Sequence, residues 1–246
     1  MLDRYLFWLI AIPAVMITGI SKSGFAGGIG IIAVPMLALL VDPLRAAAIM
    51  LPLLIFMDVL SLRYWWAKQR NDILALLIPA AVLGIGLGYL LYDVLNPQLI
   101  KLLLGLMSVV FALWGLLKGM NLAISGMPWV GRVAGFVAGL TSFVAHAGGP
   151  PVNFYLLPMK LSKEDFLATA VYFFAAINFI KLLPYALLGQ VNNDNLFVAL
   201  ALAPFAWLGV KLGLIIQRRI SPELFINLMF VLLLVIGIKL SFDGLN

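Results

Sequence analysis

The sequence predicts an all-α polytopic membrane protein built from two inverted repeats. Three observations lead to this fold class: the hydropathy, two interruptions rich in glycine and proline, and an internal repeat with reversed charge. Of the 246 residues, 64% are hydrophobic and only 11% are charged, and the mean hydropathy is +1.13. A soluble domain carries about a quarter charged residues, because water must solvate its surface. We therefore expect lipid to surround most of this chain.

The apolar stretches separate into ten predicted helical pieces. Three of them begin with a proline, whose missing N–H costs nothing in the first helical turn. The first piece is expected to belong to the mature protein, since no small-residue cleavage site follows it. The pieces span residues 5–20, 25–40, 43–66, 73–92, 97–117, 129–144, 152–159, 163–188, 195–217 and 222–240.

The charge pattern and the rare residue types exclude several classes of site. The formal net charge is +6, but the basic residues are scattered and lie at the ends of predicted spans. That distribution is typical of cytoplasmic loops rather than of a nucleic-acid-binding surface. Cysteine is absent and His146 is the only histidine, which argues against disulfides and against zinc or haem centres. We expect no cofactor, no metal and no nucleic-acid partner.

Two segments interrupt the apolar pattern. The first, residues 21–30, contains Lys22, and the second, residues 145–151, contains His146. Paired glycines and prolines fill these segments: Gly27, Gly28, Gly148, Gly149, Pro150 and Pro151. Glycines alone can serve close helix packing. Irregular backbone at membrane depth, however, must line a cavity or be buried in protein. The neighbouring lysine and histidine favour functional breaks.

An internal repeat relates the two breaks to each other. Four positions in the first half recur at one constant offset in the second half: Pro79, Gly84, Gly88 and Pro97 correspond to Pro204, Gly209, Gly213 and Pro222. The chain is then a single transmembrane domain, residues 1–246, with one repeat at about 5–118 and the other at about 129–241. Corresponding interrupted segments in two repeats indicate the binding site of a transporter.

The charges of corresponding loops predict that the repeats are inverted. Residues 63–70 carry three basic side chains, whereas the corresponding residues 189–195 carry none. The reverse holds for the basic loop at Arg218 and its counterpart at 93–96. Basic loops face the cytoplasm, so corresponding loops lie on opposite sides of the membrane. Each repeat then holds a broken helical hairpin plus three transmembrane helices, eight segments if each hairpin counts once, with both termini outside.

The candidate site residues are those expected at membrane depth. Ionisable side chains there are costly and are functional candidates, and Asp58 and Lys181 occupy equivalent positions in the two repeats. They are predicted to form either a coupling pair or a silent structural ion pair. Half-helices that start near Gly28 and Val152 would present N–H groups to an anion. The predicted substrate-binding set is Lys22, Ser23, Gly27, Gly28, His146, Gly148, Gly149, Asn153 and Asn178. Trp65 and Tyr185 are expected to be interfacial anchors.

Two motifs resemble the signatures of the TauE/SafE sulfite-exporter family. The first is Gly-Phe-Ala-Gly-Gly-Ile-Gly at 24–30, and the second is His-Ala-Gly-Gly-Pro-Pro at 146–151 followed by Asn-Phe-Tyr-Leu-Leu-Pro at 153–158. The likeness covers essentially the whole chain. The resemblance implies a bacterial inner-membrane carrier for sulfur-containing anions such as sulfite, sulfoacetate or other organosulfonates.

The predicted function is therefore a secondary transporter that moves such an anion by alternating access, with proton coupling as one option. A passive anion channel, a membrane-embedded enzyme and a scaffold subunit are the alternatives. The enzyme is disfavoured because neither a paired-carboxylate site nor a nucleophile with a convincing base is evident. The expected partners are the small anion and the lipid bilayer, and a homodimer stays open.

Overall fold

The computed structural model describes residues 2–26, 33–37, 40–41, 43–92, 94, 96–118 and 126–245. Their regular secondary structure is entirely helical, which confirms the all-α part of the predicted fold class. The helices are α1 (Leu2–Gly24), α2 (Ala33–Leu37), α3 (Pro43–Tyr64), α4 (Asn71–Leu90), α5 (Pro97–Lys118), α6 (Pro128–Ala145), α7 (Gly149–Leu156), α8 (Lys163–Leu187), α9 (Asn193–Arg219) and α10 (Pro222–Leu245). A 3₁₀ turn, Leu157–Met159, continues α7.

Six of these helices are long and apolar enough to cross a membrane, counted over the described residues: α1, α3, α4, α6, α8 and α9. A span needs about 20 apolar residues. In both broken hairpins the first limb is a helix of that class and the second limb is short, with five residues in α2 and eight in α7. The first limbs, Leu2–Gly24 and Pro128–Ala145, are longer than the predicted pieces at 5–20 and 129–144.

Helices α3 and α8 form the centre of the bundle and pack against each other. They are the most buried of the candidate spans, with 61% of the α3 window and 67% of the α8 window inside the protein. Around them, α4 packs on α6, α9 packs on α1, and α5 packs on α10. Most side chains that could meet at the centre therefore come from α3, α8 and the two breaks beside them.

Recurring glycines explain two of these close contacts. A Cβ on Gly84 would strike the backbone of α6 at Phe136, and one on Gly209 would strike the backbone of α1 at Met16. These glycines occupy equivalent positions in the sequence repeat. Small residues let membrane helices approach closely, so that dispersion between their backbones stabilises the pair. The α4–α6 and α1–α9 contacts are thus built in the same way.

Three basic segments meet at one end of the bundle: the α3–α4 loop, the start of α8 and the end of α9. Lys68 Nζ lies 2.8 Å from Glu164 Oε2, which links the α3–α4 loop to the start of α8. Arg218 Nε donates to the Tyr64 hydroxyl at 2.5 Å, which links the end of α9 to the end of α3. Gly131, near the start of α6, lies against the ring of Tyr155 near the end of α7. The α6–α7 hairpin therefore returns to the end from which it starts.

Candidate functional site

Four helices each direct two residues toward the centre of the bundle, and the two residues of each pair are four positions apart in the sequence. Residues i and i+4 lie one above the other on a helix face. Helix α1 contributes Thr18 and Lys22, α3 contributes Leu54 and Asp58, α6 with its C-terminal cap contributes Ser142 and His146, and α8 contributes Phe174 and Asn178. Apart from His146, which is partly buried, these polar side chains are almost completely buried. Ordinary helical periodicity thus concentrates polar groups in an otherwise apolar interior.

The first half of this polar centre is an ion pair between α1 and α3. Lys22 Nζ lies 2.6 Å from Asp58 Oδ1, with 6% and 0% of the two side chains exposed. Asn178 Nδ2 on α8 donates to the other carboxylate oxygen, Oδ2, at 2.7 Å. Lys22 Nζ also donates to the Leu54 carbonyl at 3.4 Å. Buried charges need a partner of opposite sign and hydrogen bonds, and Asp58 receives both.

The second half is centred on Lys181, which is fully buried on α8. Its ammonium group donates to the Ser142 carbonyl at 3.1 Å and to the Ser142 hydroxyl at 2.9 Å. Its third neighbour is His146 Nδ1, at 2.8 Å. An ammonium group has three protons and no acceptor, so these three contacts satisfy it without a carboxylate.

The neighbours of His146 define its tautomer. Nε2 lies 3.0 Å from the carbonyl oxygen of Ala47 on α3. A carbonyl oxygen can only accept, so Nε2 carries a proton, and Nδ1 is then free to accept from Lys181. The ring also stacks on Tyr185, with 6.1 Å between the ring centroids. A neutral imidazole in one orientation therefore connects the α6–α7 break to α3 and α8.

The formal charges of this centre do not cancel. Among the described residues, the buried lysine, arginine, aspartate and glutamate side chains are two lysines, Lys22 and Lys181, and one carboxylate, Asp58. His146 is neutral in the arrangement above, so the buried lysines outnumber the buried carboxylate by one. Charges interact strongly where water is scarce. The centre is therefore suited to a guest anion.

A small cavity opens between these groups. Its volume is about 30 Å³, close to the share of one water molecule in the liquid. Asp58 and Lys181 do not line the cavity, because wall residues lie between each of them and the cavity. The wall comprises Thr18, Lys22, Val34, Met50, Leu54, Ser142, His146, Gly149, Phe174 and Asn178.

The break after α6 has a defined backbone geometry. His146 caps the helix in the left-handed region with φ 51°, and Ala26, after α1, has φ 49°. Non-glycine residues are uncommon there, and both of these stand at the end of a long first limb. Gly148 follows in a crowded place, where a Cβ would contact the Ala138 carbonyl and the Ser142 side chain. The chain can fold back against α6 because this residue has no side chain.

A family model described as "Sulfite exporter TauE/SafE" matches residues 11–240. The chain belongs to the TauE/SafE family. The "Probable membrane transporter protein YunE" of Bacillus subtilis (strain 168) is 29% identical over 113 residues, which make up 46% of this chain and 40% of that relative. The matched region thus spans less than half of the relative. No solved structure matches the chain. Family and relative together place the chain among multi-pass membrane proteins of a transporter family.

Four of the residues predicted to bind substrate line the cavity of this TauE/SafE family member: Lys22, His146, Gly149 and Asn178. Asn153 lies one helical turn beyond Gly149, is 1% exposed, and finds no partner for its amide among the described residues. Gly148 shapes the break beside the cavity. Gly27 and Gly28 lie outside the described residues, so their predicted role stays a prediction.

Ser23 has a different environment from the one expected of a substrate ligand. Its hydroxyl lies 2.9 Å from the carbonyl oxygens of Gly19 and Val210, and a Cβ on Gly213 would meet it. The side chain therefore belongs to the α1–α9 contact. Periodicity explains the difference, because Ser23 follows Lys22 by one residue and points about 100° away from it around the helix.

The expected pairing of Asp58 with Lys181 is corrected by the structure. Asp58 pairs with Lys22, and Lys181 contacts Ser142 and His146 instead. Helix α1 extends to Gly24 rather than ending near residue 20. The additional turn carries the Lys22 side chain to α3, where it forms the ion pair with the Asp58 carboxylate.

The N-terminus of α7 offers fewer donors than predicted. The helix begins at Gly149, three residues before the expected start, so Pro150 and Pro151 fall in its first turn. Neither proline has an N–H group, and the Val152 N–H donates to the Gly148 carbonyl. Among the described residues, the donors of this centre are therefore mainly side chains.

Sequence reasoning missed Thr18 and Phe174, although each lies four residues before a recognised site residue. It also assigned two buried aromatic residues to the membrane interface. Trp65 is 2% exposed, and its Nε1 donates to the Ser23 carbonyl at 3.3 Å. Tyr185 is 5% exposed, and its hydroxyl donates to the Phe143 carbonyl at 2.8 Å. Both residues stand near helix ends, but these ends pack inside the protein.

Proposed function

We propose that this chain is a secondary carrier that moves a small sulfur-containing anion, such as sulfite, sulfoacetate or another organosulfonate, across the bacterial inner membrane. One observation carries the proposal: among the described residues, two buried lysines and a single buried carboxylate lie in the wall of the central cavity or directly behind it. An anion entering such surroundings replaces its hydration shell with charge-assisted hydrogen bonds, which are stronger than neutral ones. The family match supports the sulfur-containing substrate class.

The anion meets two donors that line the cavity, the Lys22 ammonium and the Asn178 amide. Both are held by Asp58 in the present arrangement. Lys181 acts from behind Ser142 and His146 through its charge and by orienting these two residues. Asp58 therefore acts as a resident anion, which the substrate must partly displace.

This competition gives a route to proton coupling. When the substrate binds the Lys22 ammonium group, the Asp58 carboxylate loses its ion-pair partner. The carboxylate itself remains buried. A buried carboxylate without a counter-charge takes up a proton, because the neutral form is favoured there. The proton comes from water on the side to which the cavity is open, and it leaves when the anion leaves and Lys22 pairs with Asp58 again. Anion and proton then cross together.

Alternating access is supported by how the two halves pack. Helix α1 of the first repeat packs on α9 of the second, and α6 of the second packs on α4 of the first. The equivalent contacts α3–α9 and α4–α8 recur as well. These reciprocal contacts, together with the opposite charges of corresponding loops, support two inverted repeats at about 5–118 and 129–241 with eight membrane segments. The cavity is too small for an organosulfonate, so the breaks must separate on one side to admit it.

Transport by purified protein in liposomes tests the proposal. A carrier gives saturable uptake of labelled sulfite or sulfoacetate, and unlabelled anion on the other side accelerates it by exchange. An imposed pH gradient is expected to alter the rate. Flux that rises without saturation and shows no exchange would instead indicate a channel, and no flux of any tested anion would overturn the proposal.

A further inference from the structure

A second site lies on the outer surface of the bundle, in a groove between α4 and α6 of about 400 Å³. Apolar side chains from both helices form its walls, including Leu83 and Phe136. Arg132 stands at one end of it and is exposed. In the part of the chain that the structure describes, no carboxylate pairs with this guanidinium group. An unpaired cation thus stands at the end of an apolar, membrane-facing groove.

The register of α4 and α6 places Arg132 at the mouth of the groove. Both helices start at the end of the bundle where the basic loops meet, and Gly135 of α6 abuts the backbone of α4 at Leu77. Arg132 therefore lies about one turn nearer to that end. Trp129 lies three residues earlier on the same face of α6 and is 57% exposed. Tryptophan and arginine at this level are typical of the membrane–water boundary.

The mouth also offers a hydrogen-bond acceptor. Pro79 lies inside α4 and lines the groove. Because proline has no N–H group, the Ala75 carbonyl lacks its usual helical donor four residues later. Ala75 lines the same groove, close to the level of Arg132. A cation and an acceptor therefore stand side by side above an apolar channel.

We propose that this groove binds one anionic phospholipid, with its phosphate on Arg132, a headgroup hydroxyl on the Ala75 carbonyl and an acyl chain along α4 and α6. Basic pockets between transmembrane helices bind lipid headgroups by this combination of charge and apolar contact. Phosphatidylglycerol provides all three parts. Phosphatidylcholine lacks the net negative charge and the hydroxyl. The site does not depend on the carrier proposal, since it shares no residue with the central cavity.

Quenching of Trp129 by brominated lipids tests the site in the full chain. The protein is reconstituted in phosphatidylcholine nanodiscs that contain brominated phosphatidylglycerol or brominated phosphatidylcholine, and the Trp129→Phe variant defines the contribution of Trp129. Phosphatidylglycerol is expected to quench Trp129 more strongly at equal mole fraction. Arg132→Gln should weaken this preference by about fivefold, which corresponds to one basic contact with an anionic lipid.

Three further variants and one competition experiment keep the result interpretable. Arg132→Lys should retain part of the preference. Ala80→Phe fills the groove and leaves the charge of Arg132 in place, and it should abolish the preference for phosphatidylglycerol. Arg219→Gln, a matched exposed arginine at the same end of the bundle, should change nothing. Excess soluble glycerol phosphate should not displace the lipid. Equal quenching by both lipids, an equal loss in Arg219→Gln, or displacement by glycerol phosphate would overturn the proposal.

Discussion

The ammonium group of Lys22 and the carboxylate of Asp58 lie 2.6 Å apart, although α1 and α3 carry them and both side chains are buried. Removing one member of a buried ion pair leaves an uncompensated charge and costs about 3–5 kcal/mol. Replacing both members by neutral groups costs far less.

We therefore expect Lys22→Met to lower the apparent free energy of unfolding by about 3–5 kcal/mol, and Lys22→Met/Asp58→Asn to recover most of it. Neither variant should bind the anion, because both lack the cavity-lining cation. Denaturation in detergent, with and without anion, measures both effects. A double variant as unstable as Lys22→Met would show that the two residues do not act as a pair. Unchanged anion affinity in the double variant would place the binding site elsewhere.

The single substitution Asp58→Asn should have the opposite effect on binding. It removes the resident anion and leaves two positive charges near the cavity, so the substrate competes with nothing for Lys22. We expect the anion to raise the apparent melting temperature of this variant more than that of the native protein, since a ligand stabilises the state to which it binds. Transport by the variant should no longer respond to an imposed pH gradient. A pH response equal to that of the native protein would exclude Asp58 as the proton carrier.

Lys181 is expected to act through charge rather than by contact. Lys181→Met removes a basic group behind the cavity wall and should weaken anion binding by about tenfold, or about 1.4 kcal/mol, since charges interact over several ångströms where water is scarce. Ser142→Ala keeps that charge and removes one hydroxyl contact, so its affinity should change much less. Isothermal titration of the purified variants with sulfite measures both. Equal losses in the two variants would indicate that the contact geometry matters and the charge does not.

His146 can be tested through the roles of its two ring nitrogens. Glutamine offers an amide donor for the Ala47 carbonyl and an oxygen acceptor for Lys181, whereas alanine offers neither. His146→Gln should therefore retain more anion affinity and more thermal stability than His146→Ala. If the two variants lose the same amount in both measurements, the hydrogen bonds of the ring do not support the site.

Orientation in the membrane can be read from single cysteines, because the chain contains none. The end that joins the basic loops is expected to face the cytoplasm. Arg219→Cys should then react with an impermeant maleimide only after permeabilisation of the cells, whereas Val191→Cys, in the α8–α9 loop, should react in intact cells. Both positions are exposed, so access to reagent rather than burial decides the outcome. The reverse labelling pattern would invert the topology.

The order of the helices and the break after α6 could be read from the sequence, because both depend on local chemistry. Glycine and proline at 148–151 end one helix and begin another, and the spacing of four between Ser142 and His146 is a property of the helix itself. The burial of Lys22, Asp58, Asn178 and Lys181 could be expected in the same way. A buried charge is conspicuous in an apolar stretch wherever its partner lies.

The choice of partners was decided only by the tertiary structure. Asp58 pairs with Lys22 because α1 continues for one turn beyond its predicted end, and a turn of helix moves a side chain by about 5.4 Å along the axis. Ser23 and Trp65 belong to packing contacts because the rotation of α1 against α3 and α9 directs them there. Such rotations and translations arise from close packing between segments distant in sequence. Local periodicity therefore predicts which faces are polar, and the packing of the faces determines which groups meet.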